Sequence, residues 1–193
     1  RDFCLSRGLG DVYKRQDSSS SKKVLYTSDM GALHSNNHYV TDTEIPDMFN
    51  DVVIMESTYG ESKRTSKKKR SYDIKHLETA INTVIERKGT VILPCFSFSR
   101  TQELLTNLYD IYGVRKDFCT PIFVDSKLSC DISKLYHSLL HDSDLKKWQT
   151  VCEWDNVHFI EEKDESKKCI ANDVSKIIIS SSGFCTNGRV VGY

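Results

Sequence analysis

The chain has 193 residues, of which 38% are hydrophobic and 28% are charged, and this composition is typical of an ordinary soluble protein rather than a disordered or membrane-embedded one. The 27 basic residues balance the 27 acidic ones, so the net charge provides no general attraction for a polyanion and any nucleic-acid role must depend on local features. The seven cysteines include no Cys-x-x-Cys pair and no apolar run could span a bilayer, which argues against a zinc ribbon, a disulfide scaffold or a membrane partner and favours a cytoplasmic location.

The first 21 residues are predicted to lie outside the fold. Arg1 to Gln16 carries neither helical nor strand periodicity, and Asp17 and the serine run Ser18 to Ser21 follow it. The stretch resembles translated adaptor or assembly sequence, and a native disordered tail is the alternative.

From Val24 onward, short apolar runs alternate with segments of helical period, which predicts an α/β fold with a mainly parallel, helix-covered sheet. The run 24–26 indicates a strand that leads to Asp29, and the run 52–55 indicates a buried strand that ends at Glu56. Both runs therefore lead into a carboxylate.

Three helices and two further strands are predicted next. A helix over residues 71–88 ends at Gly89 in a left-handed turn; strand 91–93 precedes a helix that begins with a capping box of Ser99 and Gln102; and strand 122–124 ends at Asp125. The expected inner faces of the second and third helices carry Leu104, Leu105, Leu108 and Ile111, and Leu128, Ile132, Leu135, Tyr136 and Leu139, respectively. Runs 157–160 and 177–179 indicate two more strands.

Polar side chains follow five of these strands, at Asp29, at residues 56–60, at 97–100, at 125–126 and at 180–183. In parallel sheets the carboxyl ends meet at one edge, where hydroxyls, helix N-termini and an Arg suit a phosphate. The alternative for each residue is an ordinary turn former or cap. The basic run Lys63 to Arg70 lacks interleaved aromatics, so a solvated loop is favoured over a nucleic-acid patch.

Five of these segments, in order, resemble landmarks of the β-CASP branch of the metallo-β-lactamase superfamily. They are Asp29 with its preceding strand, Glu-Ser-Thr-Tyr-Gly at 56–60, Arg-Thr-Gln-Glu at 100–103, the strand ending Asp-Ser at 125–126, and Ser-Ser-Ser-Gly at 180–183 with Gly-Arg at 188–189. The resemblance implies the end of a metallo-β-lactamase αββα domain over residues 22–60 and a truncated β-CASP domain over 61–193. Since relatives of this kind process RNA, it also implies single-stranded RNA as substrate.

The resemblance also implies roles for individual residues. Asp29 is similar to the aspartate that bridges two zinc ions, whose shared hydroxide can attack phosphorus, and Glu56 to the acid that orients a histidine protonating the leaving oxygen. Five side chains and one backbone segment are expected to approach substrate: Ser57, Thr58, Tyr59, Arg100, Ser182 and Gly183. The family's His-x-His-x-Asp-His cluster and its later histidines have no counterpart in this sequence.

The expected function is therefore that of a fragment of a zinc-dependent ribonuclease, and we expect the 193 residues alone to be inactive. Two alternatives stay open: a non-catalytic β-CASP scaffold subunit, against which the retention of Asp29 and Glu56 counts, and a Rossmann-like module for a phosphorylated ligand, which the lack of Gly-x-Gly-x-x-Gly weakens. Endonuclease or 5′-exonuclease action, the RNA target and a possible homodimer are not decided by the sequence.

Overall fold

The computed structural model describes residues 13–16, 22–27, 38–39, 49–62 and 67–193. The chain divides into two compact units, Arg1–Arg64 and Thr65–Tyr193. Both contain parallel strand pairs, and the second is a parallel sheet with helices packed against it. The predicted α/β class is therefore confirmed. No helix in the described part of the chain is both long enough and apolar enough to cross a membrane.

The first unit contains a three-stranded sheet. Strand β1 (Tyr13–Gln16) pairs antiparallel with β2 (Lys23–Tyr26), and β2 pairs parallel with β3 (Val52–Ile54). The Asp51 carboxylate accepts a hydrogen bond of 2.7 Å from the backbone N–H of Lys23, which fixes the register of β2 against β3.

Two sequence predictions for this unit were wrong. Tyr13–Gln16 forms a strand although no element was expected there, because backbone pairing with β2 requires no periodic apolar side chains. Strand β3 was expected to be buried, yet Val52, Val53 and Ile54 are all exposed. It lies at the edge of the sheet as described, and strand periodicity predicts a buried strand only where another layer packs on it.

The second unit contains four parallel strands in the order β4-β7-β5-β6. Its elements are α1 (Lys67–Glu86), β4 (Thr90–Pro94), α2 (Arg100–Tyr112), β5 (Ile122–Asp125), α3 (Lys127–Leu139), α4 (Asp142–Cys152), β6 (Val157–Ile160), α5 (Lys163–Ala171), β7 (Lys176–Ser180) and a final 3-10 turn (Arg189–Gly192). Strand β7 is buried along its whole length because it lies between β4 and β5. All strands and helices predicted for this unit are present, whereas α4, α5 and the 3-10 turn were not predicted.

Helix α1 ends in a Schellman-type turn whose details differ from the prediction. The residue with positive φ is Lys88 (φ 57°), not Gly89. The Lys88 N–H donates to the carbonyl of Ile85 at 2.8 Å, and the Gly89 N–H donates to that of Val84 at 2.9 Å. A Cβ atom on residue 89 would come within 2.9 Å of the Val84 side chain, so the glycine is needed for close packing rather than for its dihedral freedom.

Helix α2 begins without the predicted capping box. Ser99 occupies the N-cap position with φ 61°, and its side chain accepts no capping hydrogen bond. Gln102, which was expected to complete the box, is fully buried and donates from Nε2 to the Ser133 hydroxyl of α3 at 3.1 Å. The pairing of α2 with α3 has replaced the local cap.

Helix α3 turns to the core a face that matches the predicted one only in part, at Tyr136. Its buried residues are Ser129, Cys130, Ser133 and Tyr136. The Cys130 thiol lies near the carbonyls of Val124 and Ile160, since small side chains let the helix approach the sheet closely. The predicted core residues Leu128, Leu135 and Leu139 are exposed. Periodicity located the helix, but of its inner face it identified only Tyr136 as fully buried.

The cysteines should differ sharply in reactivity. Cys130 is 1% exposed, and burial, followed by the nearby Glu161 carboxylate, raises the pKa of its thiol to about 11. Cys119 and Cys185 are exposed. Near neutral pH we therefore expect iodoacetamide to label Cys119 and Cys185 in the folded protein and Cys130 only in denaturant. Mass-spectrometric peptide mapping measures this, and equal labelling of Cys130 and Cys185 without denaturant would contradict the packing of α3.

Candidate functional site

Three serine hydroxyls from three strand ends meet at the carboxyl edge of the second unit's sheet. Ser97 follows β4, Ser126 follows β5 and Ser181 follows β7. The Ser126 Oγ lies 3.0 Å from the Ser181 Oγ and 3.3 Å from the Ser97 Oγ. We call these three residues the hydroxyl cluster. The polar strand ends that the sequence predicted to converge do converge for these three strands.

The hydroxyl cluster is oriented by the start of α3. Ser126 is the N-cap of this helix, and its Oγ accepts from the Ser129 N–H at 3.3 Å and from the Ser181 hydroxyl. With both of these donors bound, the proton of Ser126 is left to point toward Ser97 or toward an incoming acceptor. Ser97 and Ser126 are buried and Ser181 is half-buried, so the cluster places hydroxyls just beneath the surface at the positive end of a helix, a position that suits an anion.

Beneath the cluster, a buried ion pair joins β5 to the last turn of the chain. Asp125 is fully buried, and its Oδ1 accepts a 2.7 Å hydrogen bond from Arg189. The same guanidinium donates to the backbone carbonyls of Ile160 and Glu161 at 3.1 and 2.6 Å. Arg189 thus ties together the ends of β5 and β6 and is engaged within the fold, not available to grip a ligand.

The second oxygen of Asp125 is also satisfied. The hydroxyl of Ser166 on α5 donates to Oδ2 at 2.6 Å, and that of Tyr193 donates at 2.8 Å. Burial, with smaller contributions from Cys169 and from the Asp125 carboxylate, raises the pKa of Tyr193 above its usual range. The phenol therefore remains a donor to Asp125 throughout the ordinary pH range.

The segment 181–188 forms a loop closed at both ends. The Ser182 N–H donates to the Asn187 carbonyl at 3.3 Å, and the Ser182 hydroxyl accepts from the Phe184 N–H at 3.3 Å. Gly188 has φ 82°, and a Cβ atom there would collide with the Ser181 carbonyl oxygen. The Ser182 hydroxyl, predicted to contact substrate, therefore also holds the loop.

The loop carries an exposed aromatic ring that meets another from the β4 end. Phe96 and Phe184 pack edge to face with ring centroids 5.7 Å apart, and the predicted site residue Gly183 lies against the Phe96 ring. Phe98 and the predicted site residue Arg100 are exposed on the same β4-to-α2 segment. The sequence analysis did not select these phenylalanines, although their alternation with Cys95 and Ser97 was visible.

Four of the predicted residues of the first unit, Glu56 to Tyr59, lie in one turn. Glu56 follows β3, and its Oε2 accepts from the Thr58 N–H at 2.8 Å. The Gly60 N–H donates to the Ser57 carbonyl at 2.9 Å, and Tyr59 is exposed. Asp29 lies outside the described residues. Among the residues that the structure describes, no three His, Cys, Asp or Glu side chains come together as a metal site.

Comparison with known proteins gives consistent matches. Residues 101–193 match the family model of the Beta-Casp domain. The chain is 31% identical over 188 residues to an RNase J-like protein of Methanocaldococcus jannaschii, an alignment covering 96% of this chain and 42% of that protein. It is 32% identical over 121 residues to endoribonuclease YSH1 of Mycosarcoma maydis, covering 62% and 13%, respectively. The chain thus spans less than half the length of these relatives.

Removing the cation of the buried pair should destabilise the second unit strongly. We expect Arg189→Met to lower the free energy of unfolding by about 3–5 kcal/mol, since Asp125 would be left buried with an uncompensated charge. Chemical denaturation measures this. The double variant Asp125→Asn/Arg189→Met should lose less than the single one. The exposed pair Lys147–Asp110 is the control, and Lys147→Met should cost less than about 1 kcal/mol; equal losses for both single variants would contradict the assigned role.

Gly188 and Gly183 provide a matched pair of substitutions within one loop. Gly188→Ala should destabilise by about 1–3 kcal/mol because it places a side chain at positive φ against the Ser181 carbonyl. At Gly183 an added Cβ would make only an ordinary contact with Phe96, at 3.5 Å, so Gly183→Ala should change stability by less than about 0.5 kcal/mol. Thermal and chemical unfolding compare the two, and a larger loss at Gly183 is the contrary result.

Proposed function

We propose that this chain, which belongs to the β-CASP family, is part of a ribonuclease that hydrolyses RNA phosphodiester bonds. The observation that carries the proposal is the hydroxyl cluster at the carboxyl edge, with two of its members, Ser126 and Ser181, inside the segment matched by the family model. The names of the relatives, an RNase J-like protein and endoribonucleases, support the same activity.

A phosphate group at the hydroxyl cluster would find donors already oriented. Ser126 and Ser97 are held by the N-terminus of α3 and by each other, so these two side chains need not be ordered when the anion arrives. The guanidinium of Arg100, exposed at the start of α2, is free to move towards a phosphate oxygen. These residues bind and position the substrate backbone, whereas bond cleavage requires groups outside them.

We further propose that the full-length protein uses two zinc ions, which would polarise the phosphate and supply the attacking hydroxide. The described residues do not themselves form a metal site, so this proposal depends on Asp29 and on ligands beyond these residues. Glu56 is proposed to orient the histidine that protonates the leaving oxygen; its acceptance of the Thr58 N–H fixes the carboxylate near the turn. We also propose that the protein is cytoplasmic, that its RNA substrate is single-stranded and that it forms a homodimer.

The decisive experiment uses the protein encoded by the complete reading frame. We expect it to contain about two zinc ions per chain by elemental analysis and to cleave a labelled single-stranded RNA. Asp29→Asn should lower both the zinc content and the cleavage rate. Glu56→Gln should lower the rate by about 100-fold while leaving the zinc content unchanged, because Glu56 is not assigned to the metal.

The control for Glu56 is the exposed acid Glu61 at the end of the same turn, for which Glu61→Gln should leave the rate unchanged. If the full-length protein contains no zinc and cleaves no RNA, the enzymatic proposal is overturned and the scaffold alternative is favoured. Cleavage that survives Asp29→Asn would overturn the assignment of Asp29 to the metal.

A further inference from the structure

Three phenylalanine rings are exposed around the hydroxyl cluster. The exposed fractions are 54% for Phe96, 65% for Phe98 and 75% for Phe184. We call these residues the aromatic platform. Phe96 and Phe98 flank Ser97 in the sequence, and Phe184 is three residues beyond Ser181, so each ring adjoins a strand end that contributes to the cluster.

On the segment between β4 and α2, the usual pattern of buried apolar and exposed polar side chains is reversed. Along residues 96–98 the side chains alternate between exposed and buried, but the polar Ser97 is buried and both phenyl rings face outward. The buried Ser97 hydroxyl is compensated by its hydrogen bond with Ser126, whereas exposing two phenyl rings costs free energy in an isolated fold. The exposure of the rings is therefore not explained by the packing of this unit, and it suits a surface that binds a ligand.

The backbone that carries the rings is held in place before any ligand arrives. The Thr101 hydroxyl donates to the Phe96 carbonyl at 3.0 Å, and the Arg100 N–H donates to the Phe98 carbonyl at 2.6 Å. On the facing loop, the Ser182 hydroxyl accepts from the Phe184 N–H, and the two rings support each other edge to face. Such preorganisation lowers the entropy lost on binding.

We propose that the aromatic platform stacks the bases of single-stranded RNA whose backbone runs along the hydroxyl cluster. The proposal rests on the phosphate site proposed above and adds the group that recognises the bases. Every base presents a flat π-face, so stacking on phenyl rings tolerates any sequence. The platform therefore contributes affinity and strand path rather than sequence specificity.

The surroundings of the rings favour a nucleic acid over a protein partner. Arg100 is exposed within two residues of Phe98, and the hydroxyl cluster lies beside Phe96. An apolar protein surface laid over the rings would also bury this guanidinium, which would then need a partner. A polyanion with planar bases suits both the donors and the rings. Its phosphate oxygens accept hydrogen bonds from the donors, and its base faces pack on the phenyl rings.

The test measures base-dependent binding apart from cleavage. The 193-residue chain is titrated, in EDTA, against a labelled oligouridylate of roughly ten nucleotides and against an abasic oligonucleotide of equal length. We expect at least about fivefold tighter binding to the oligouridylate, the lower limit for one stacked base. Phe96→Leu and Phe184→Leu should remove this preference and leave abasic binding unchanged, whereas Phe184→Trp should retain it because a ring remains.

The location control is Val174→Ala, an exposed apolar residue at the opposite edge, just before β7, and it should have no effect. All substituted side chains are exposed, and circular dichroism checks that each variant folds. Equal binding of the two oligonucleotides, no binding by the unsubstituted chain, or a preference that survives Phe184→Leu would each overturn the platform. Base preference in a protein whose full-length form cleaves nothing would instead overturn only the ribonuclease activity.

Discussion

The geometry of the carboxyl edge of the parallel sheet is fixed by one buried carboxylate, which needs a cation beside it. Asp125 ends a central strand and is fully buried, so its charge must be compensated within the fold. Arg189 provides the compensation and, with its remaining N–H groups, reaches the carbonyls at the end of β6. One electrostatic requirement thereby fixes where the β5 end, the β6 end and the last turn of the chain lie with respect to one another.

The proposed binding surface at this edge is built on that fixed base. Asp125 is fully buried, Arg189 is half-buried, and both are engaged within the fold. The side chains proposed to meet a ligand at the surface, Phe184 and Arg100 among them, are exposed at the same edge. In the proposed site, the ion pair that fixes the geometry and the rings that would meet the bases are therefore different side chains.

Sequence reasoning succeeded where the physical signal was long or continuous. The buried strand 177–179 and the 20-residue helix α1 were located because uninterrupted apolar runs and helical periodicity are strong signals. It failed on α4 and α5, whose buried residues are only two each. The inner face of α3 was predicted correctly only at Tyr136, because the close approach of the helix to the sheet places Ser129, Cys130 and Ser133 inside, and a pattern of large apolar residues does not reveal small ones.

The residues of the site were predicted, or missed, for the same reasons as the elements of the fold. The convergence of strand ends was predictable from parallel topology, and Ser182, Gly183 and Arg100 lie at that edge. Arg189 was recognised only as part of a motif, since its pairing with a residue 64 positions earlier is not a local feature. The closed loop 181–188 has a consequence for variation within such proteins. Its ends are held by hydrogen bonds while the tip, residues 184–187, is exposed, so substitutions at the tip can change the surface of the loop without disturbing the sheet beneath.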